Sequence, residues 1–183
     1  KDQTAISCVK MLNGNLFVTE CFGLSGGYSN NVLERIARTA RDNKINKILI
    51  EQNFGGGMFS QLLKPFLMRY HACEVEDVRN TKTKEMRIID TLEPVMNSHK
   101  LIIDRRVVEN DFKSNPNETP ERRLKLQLIY QISRLSKNKG SLVHDDLVDS
   151  LAGAVAYWTE YMAQTEDLNI SKRKDELLAI HLD

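Results

Sequence analysis

Residues 4–22, TAISCVKMLNGNLFVTECF, have the pattern of two strands joined by a tight turn. Residues 4–12 and 16–22 are rich in β-branched, apolar and aromatic residues, which favour strands. Asn13-Gly14-Asn15 separates the two runs, and Asn-Gly suits the tight turns of hairpins because both residues tolerate positive φ. The stretch therefore predicts an antiparallel hairpin.

Apolar periodicity after the hairpin predicts alternating helices and strands. Residues 47–50 form a continuous apolar run that predicts a buried, parallel strand ending on Glu51. Further strands are predicted at 74–78 and 101–103, and helices at 30–41 (capped by Asn30 or Asn31), 58–67, 83–98, 119–134, 144–164 and 171–182. Pro65 and Pro94 lie inside two of these helices and should kink or strain them. The order predicts an α/β (or α+β) fold, with helices on both faces of a mixed sheet.

The composition is that of one globular domain, residues 1–183, with a core over about 1–164 and a charged C-terminal helix over about 171–182. The net charge of +1 gives no global attraction to nucleic acid, so any polyanion site must be local. Three widely spaced cysteines predict free thiols in a reducing compartment. No run approaches a membrane span and no signal peptide is recognisable, so we expect a soluble, intracellular-type domain. The abrupt start suggests a fragment of a longer chain.

Three carboxylates and a histidine lie within residues 144–154, HDDLVDSLAGA, before the sequence turns apolar and small. Acids are favoured at the first turn of a helix, and Asp145 or Asp146 could serve only as its N-cap. Three clustered acids exceed that need and repel one another, which favours a divalent metal with oxygen ligands. Asp146 and Asp149 are three residues apart and should share a helical face, with Asp145 pointing elsewhere. His144 could orient a ligand, act as acid or base, or hydrogen-bond at the helix start.

Glu51 is the second candidate, because it ends a predicted buried strand and three glycines follow shortly after it. In open α/β sheets the functional crevice lies at the carboxyl ends of strands. Gly55-Gly56-Gly57 would allow close approach of a ligand or phosphate, although the same glycines could form only a flexible turn. The alternative for Glu51 is a solvated residue at a strand end.

Basic residues form several local groups that could contact phosphates without reading sequence. The alternative is solvated helix faces balanced by glutamates. The groups are Lys82, Lys84 and Arg87; Arg105 and Arg106; and Arg122, Arg123 and Lys125.

Three segments together resemble the C-terminal nuclease domain of the large terminase subunit of tailed bacteriophages: HDDLVDSLAGA (144–154), KILIEQNFGGGMF (47–59) and TKTKEMRIIDTLEPVM (81–96). The similarity is closest to the DNA maturase/packaging type of short-tailed phages and covers about residues 1–160. It implies a ribonuclease H-like fold and cutting of concatemeric viral double-stranded DNA that depends on Mg²⁺ or Mn²⁺ in a two-metal site. It also implies an N-terminal ATPase motor domain, a portal and a small terminase subunit as partners, no membrane, and the cytoplasm of the infected bacterial host.

The resemblance implies catalytic and metal-binding roles for Glu51, at the family's strand-end acid, and for Asp146 or Asp145, at the helix-start acid. Asp149 matches a position that is acidic in related resolvases, and Asp2 resembles a secondary acid between the first two strands. These two are expected as minor metal partners. Lys84, Arg87, Arg105, Arg122, Gly55 and Gly56 are expected to contact DNA.

The chain departs from the family at its start. The family's first catalytic aspartate lies on a central strand before the position of Asp2, so that strand is expected to be missing and the fragment could be inactive. Two rival functions remain: a Holliday-junction resolvase or transposase-type nuclease of the same fold, and a non-catalytic docking module of the packaging motor.

Overall fold

The computed structural model describes residues 3–51, 57–79, 83–136, 140 and 142–180, with side chains described as far as residue 173. Asp2, Gly55, Gly56 and Lys82 lie outside the described residues, so the predictions made for them stay predictions. The described elements are β1 (Thr4–Leu12), β2 (Asn15–Leu24), α1 (Asn30–Asp42), β3 (Lys47–Glu51), α2 (Met58–Tyr70), β4 (Glu74–Val78), α3 (Lys84–Asn97), β5 (Leu101–Ile103), α4 (Arg105–Lys113), α5 (Pro120–Lys125), α6 (Leu128–Arg134) and α7 (Asp146–Ile180).

The predicted hairpin is confirmed. β1 and β2 pair antiparallel, with an irregularity between Cys8 and Val9, and β5 adds a parallel strand beside β2. Asn13 and Gly14 both have positive φ, 51° and 77°, as a tight hairpin turn requires. The result is a three-stranded mixed sheet in the order β1-β2-β5.

β3 and β4 form a second, two-stranded parallel sheet in which Glu51 lies beside Val78. The parallel arrangement of β3 is confirmed, but the prediction that residues 47–50 are all buried is wrong. Ile50 is buried, whereas Lys47, Ile48 and Leu49 are half-buried. Lys47 instead pairs with the acids of β4, at 3.0 Å from Glu74 and 2.6 Å from Glu76.

Two apolar clusters hold the helices against these sheets. The first joins the hairpin to α3, α4, α6 and α7, through residues that include Val18, Ile88, Leu128, Leu147 and Leu151. The second joins α1, β3 and α2, through residues that include Leu33, Ala37, Ile50, Phe59 and Leu63. The apolar, small-residue face of α7 therefore packs its first turns tightly, as its sequence predicts.

Three predictions about helices are wrong, and one helix was missed. Ser29, not Asn30 or Asn31, is the N-cap of α1, and it makes no side-chain cap hydrogen bond. α4 was not predicted, although the Asp104 side chain caps it by accepting a hydrogen bond from the Arg106 backbone N–H. The helix predicted over 119–134 is broken at residues 126 and 127 into α5 and α6. The separate helix at 171–182 is the continuation of α7, which runs unbroken to Ile180.

The three cysteines are free thiols, as predicted. Burial raises the pKa of Cys8 and of Cys21 to about 12, so both side chains are neutral at ordinary pH. Within the described part of the chain, none of the helices is both apolar enough and long enough to span a bilayer.

Candidate metal and nucleic-acid site

Four carboxylates predicted from the sequence lie where β3 ends and α7 begins. Glu51 is the last residue of β3, and Asp146 and Asp149 occupy the first turn of α7. Asp145 precedes that helix, and its carbonyl accepts the Asp149 N–H at 2.9 Å, as the carbonyl of an N-cap residue does.

A buried glutamine fixes the start of α7. The first N–H groups of a helix have no partner within the helix. Val148 N–H donates one of these bonds to Oε1 of Gln131, at 3.1 Å, and Gln131 is 1% exposed. Gln131 is held in turn by α6, whose N-terminal N–H groups at Leu128 and Ile129 donate to the buried Asp111 carboxylate. Sequence reasoning missed both residues, since a polar residue inside an apolar helix pattern gives no signal of its distant partner.

Lys84, at the start of α3, bridges two of the acids. Its Nζ lies 2.8 Å from Oδ1 of Asp145 and 3.2 Å from Oδ2 of Asp149. The two aspartates are four residues apart and therefore neighbours at one end of α7. The sequence-based grouping was different, because it paired Asp146 with Asp149 and turned Asp145 away.

Arg87, one turn further along α3, links the helix start to the strand end. Its Nη2 donates to Oδ1 of Asp149 at 2.7 Å and lies 3.9 Å from Oε1 of Glu51. The side chains of Arg87 and Asp149 are only 15% and 11% exposed. Nε of Arg87 is buried, with no hydrogen-bond partner in the described part of the chain. One guanidinium therefore reaches acids from two elements that are far apart in the sequence.

Asp146 has a different partner from its two neighbours. Its Oδ2 accepts the backbone N–H of Gln3 at 3.3 Å. The side chain of Gln3 donates to Asn115 at 2.9 Å, in the loop that follows α4. The segment just before β1 is thereby anchored to the first turn of α7, beside the acids.

Burial, hydrogen bonds and neighbouring charges shift the pKa values of Asp149 and Lys84. Burial raises the pKa of Asp149, and the charge of Glu51 acts in the same direction, against Arg87 and Lys84, which lower it. Burial alone would lower the pKa of Lys84, but its hydrogen bond to Asp145 and the charges of Asp149 and Asp145 raise it instead. Lys84 is therefore a cation that these carboxylates hold in place.

The donor chemistry of the cluster fits a hard divalent cation. Mg²⁺ prefers carboxylate oxygens, and two cations against four carboxylates leave negative charge to be balanced. The spacing is not that of a closed site: no three His, Cys, Asp or Glu side chains in the described ranges are arranged around one ion position. Lys84 contacts both Asp145 and Asp149, and Arg87 lies near both Asp149 and Glu51.

Between β3 and α2 the structure describes only Gly57. This residue is the N-cap of α2 and has a left-handed φ of 89°. That conformation favours glycine. Ser60, in the first turn of α2, donates a hydrogen bond to Asp77 near the end of β4. This contact, which sequence reasoning missed, ties the start of α2 to the strand beside Glu51.

Two other predicted basic residues, Arg105 and Arg122, form ion pairs with glutamates four residues away in the sequence. Arg105 donates to Glu109 at 2.8 Å, and Arg122 lies 3.3 Å from Glu118. His144 is half-buried and lines a shallow pocket with Arg122 and with the residues Thr119, Glu121, Lys125 and Val143. Among the described ion pairs, Lys84 and Arg87 contact acids of the cluster, whereas Arg105 and Arg122 contact other glutamates.

Comparison with known proteins shows which family the chain belongs to. The family described as "Terminase Bacteriophage T7, Ribonuclease H-like domain" matches residues 1–101. The chain is 34% identical, over all of its 183 residues, to a protein named "Terminase, large subunit" from Enterobacteria phage T3. It spans 30% of that protein's length. The matched region contains β1–β4 and α3, and thus Glu51, Lys84 and Arg87. The chain belongs to the ribonuclease H-like domain family of the bacteriophage T7 terminase.

Proposed function

We propose that this chain is the metal-dependent DNA endonuclease domain of a viral genome-packaging terminase, and that it cuts concatemeric double-stranded DNA. The observation that carries the proposal is the meeting of Glu51 and Asp149 on one buried guanidinium. Acids from a strand end and a helix start are thereby gathered at one place. Clusters of carboxylates that face one another suit two-metal phosphodiester hydrolysis.

Glu51 and Asp146 are the proposed principal ligands of Mg²⁺ or Mn²⁺, with Asp145, Asp149 and Asp2 as minor partners. Two bound metal ions supply Lewis acidity at the phosphate and activate water near neutral pH. Glu51 enters from the end of β3, the first turn of α7 carries Asp146 and Asp149, and Asp145 immediately precedes that turn. The Gln3 N–H holds the Asp146 carboxylate, which limits its rotation.

The proposed DNA contacts are made to the phosphate backbone. Lys84 and Arg87 lie at the acid cluster, where cations can also attract the scissile phosphate. Arg105 and Arg122 present exposed guanidinium groups on α4 and α5. Gly55 and Gly56 belong to the proposal through their place in the sequence, a few residues after the strand that ends on Glu51. Such contacts predict salt-sensitive binding that tolerates many sequences.

The longer protein to which the chain is similar suggests the setting. We propose that the domain works beside an N-terminal ATPase motor, with a portal and a small terminase subunit as partners. The place of action would be the cytoplasm of the infected bacterial host.

Plasmid cleavage with Mn²⁺ tests the proposal. We expect the wild-type chain to nick or linearise the plasmid and Glu51→Ala and Asp146→Ala each to abolish cutting. Glu93→Ala, on the exposed face of α3, is the matched control and should cut like the wild type. Unchanged cutting by both site variants would refute the assignment. Preference for branched over linear DNA would favour a resolvase-type nuclease.

A docking role in the packaging motor is the second candidate. It is favoured by the end of α7, where Tyr161, Leu168 and Ile170 are each at least 47% exposed on a helix that continues beyond the core. If calorimetry detects no binding of a divalent metal ion either to the wild-type chain or to its Lys84→Met variant, the docking role becomes the better explanation.

A further inference from the structure

We propose that Lys84 is a built-in competitor of the divalent cation, so that this one side chain sets the metal affinity of the acid cluster. The proposal rests on the proposed function, because it concerns the same carboxylates. It goes further by assigning to Lys84 a role in the metal-free protein.

The contacts of Lys84 carry the first step of the argument. Its Nζ lies between oxygens of Asp145 and Asp149, at 2.8 Å and 3.2 Å. An ammonium group held between two carboxylates occupies a position that a divalent cation would need in order to bind both of them. The same oxygens cannot serve both cations at full strength, so entry of the metal requires Lys84 to withdraw.

The side chain of Lys84 can withdraw, whereas that of Arg87 is enclosed. The Lys84 side chain is 39% exposed, and it carries its charge on a flexible four-carbon stem. The Arg87 side chain is 15% exposed and reaches both Asp149 and Glu51. Arg87 is therefore the positioning residue that keeps the acids together, and Lys84 is the exchangeable partner.

Lys84 should also stabilise the metal-free domain. Without the charge of Lys84, Asp145 and Asp149 repel each other at the start of α7. The first turns of that helix pack in the first apolar cluster. The two effects of removing Lys84 have opposite signs: the metal-free protein loses stability, while the metal gains affinity. Removal of a residue that only packs against α7 would lower stability without raising the affinity for the metal.

The test is Mn²⁺ titration by calorimetry, together with thermal unfolding with and without Mn²⁺, on the wild-type chain and Lys84→Met. We expect Lys84→Met to bind Mn²⁺ about 10-fold more tightly, because a competing charge close to the ion is gone. Its unfolding midpoint should fall without metal, and the rise caused by Mn²⁺ should be larger than in the wild type. Lys84→Arg, which keeps a cation there, should bind Mn²⁺ within about threefold of the wild type. Lys64→Met, at an exposed position of α2, is the charge-matched control and should match the wild type in every measurement.

The outcomes separate the two proposals. If the wild type binds Mn²⁺ and Lys84→Met binds with equal or lower affinity, the competitor role is wrong and the proposed function stands. If Lys84→Met binds Mn²⁺ where the wild type shows no binding, the competitor role is supported in its strongest form. If neither protein binds Mn²⁺, both proposals fail.

Discussion

Arg87 Nη2 donates a 2.7 Å hydrogen bond to Oδ1 of Asp149, joining two largely buried side chains from α3 and α7. The same nitrogen lies 3.9 Å from Glu51, at the end of β3. Removal of one partner from a buried ion pair leaves the other charge without compensation, which costs far more than loss of a surface pair. The guanidinium therefore has a large structural effect, although its residue type first suggested only a phosphate contact.

Arg87→Met should lower the free energy of unfolding by about 3 kcal/mol, because Asp149 stays buried without its nearest cation. Urea unfolding measures the change. Arg105→Met removes an exposed arginine that pairs with Glu109 and should change stability by less than about 0.5 kcal/mol. Equal changes in the free energy of unfolding for the two substitutions would show that the largely buried pair stabilises the protein no more than the exposed pair.

The pKa of Asp149 should lie above its ordinary value of 3.8, since burial and the charge of Glu51 raise it. Carboxyl NMR titration measures it directly. Lys84→Met removes a charge that lowers this pKa and should raise it further, whereas Glu51→Gln should lower it. A pKa that is below 3.8 in the wild type would contradict the account.

The raised pKa of Asp149 makes the free energy of unfolding depend on pH. As the pH falls from the raised pKa of the folded state towards 3.8, the folded state takes up a proton on Asp149 before the unfolded state does. The contribution of this group to the free energy of unfolding therefore rises on acidification through that window and is lost as the pH rises through the folded-state pKa. Asp149→Asn should remove this component from the pH profile, and an unaltered profile would argue against it.

Gln131→Leu should expose the start of α7 to local opening. Leucine fills a similar volume but leaves the Val148 N–H buried without its acceptor, which costs about 1–3 kcal/mol. Amide hydrogen exchange at Val148 should accelerate more than exchange in β1 and β2. Ser133→Ala, also on α6, is a control because its hydroxyl donates only to the nearby Tyr130 carbonyl. Unchanged exchange at Val148 in Gln131→Leu would show that the bond does not hold the helix start.

Thiol labelling should distinguish the three cysteines. Burial raises the pKa of Cys8 and Cys21 to about 12, whereas Cys73 is half-buried. Only the thiolate reacts quickly, so a reagent such as iodoacetamide should label Cys73 first in the folded protein. Mass spectrometry locates the label. Labelling of Cys21 as fast as Cys73 without denaturant would contradict the burial of Cys21 in the first apolar cluster.

Local sequence patterns were sufficient for elements whose signals lie within a few residues. Asn13-Gly14 specifies the hairpin turn, and the apolar spacing from Leu147 to Val155 specifies a helix that packs on one face. Neither glycine nor proline interrupts residues 164–171, so α7 continues where the sequence was divided into two helices. In α4 only Val107 and Asp111 are buried, which leaves too weak an apolar pattern to predict that helix.

The acids of the cluster could be predicted from the sequence, but their pairing with cations could not. Strand ends and helix starts identified Glu51 and the three aspartates from local sequence. Their pairing with Lys84 and Arg87 depends on how α3 packs against α7, which no local pattern contains. From the sequence alone, Lys84 and Arg87 are therefore expected only as DNA contacts, and their bridging of the acids has no local signal.

Mn²⁺ binding by the wild-type chain and Glu51→Gln, followed by electron paramagnetic resonance, tests the central claim most directly. Glu51→Gln keeps the shape of the side chain and removes its charge, and Glu93→Gln is the matched control at an exposed position of α3. The account predicts that the wild type and the control bind Mn²⁺ alike and that Glu51→Gln binds at least about 10-fold more weakly. Equal Mn²⁺ affinity in all three proteins would contradict the account.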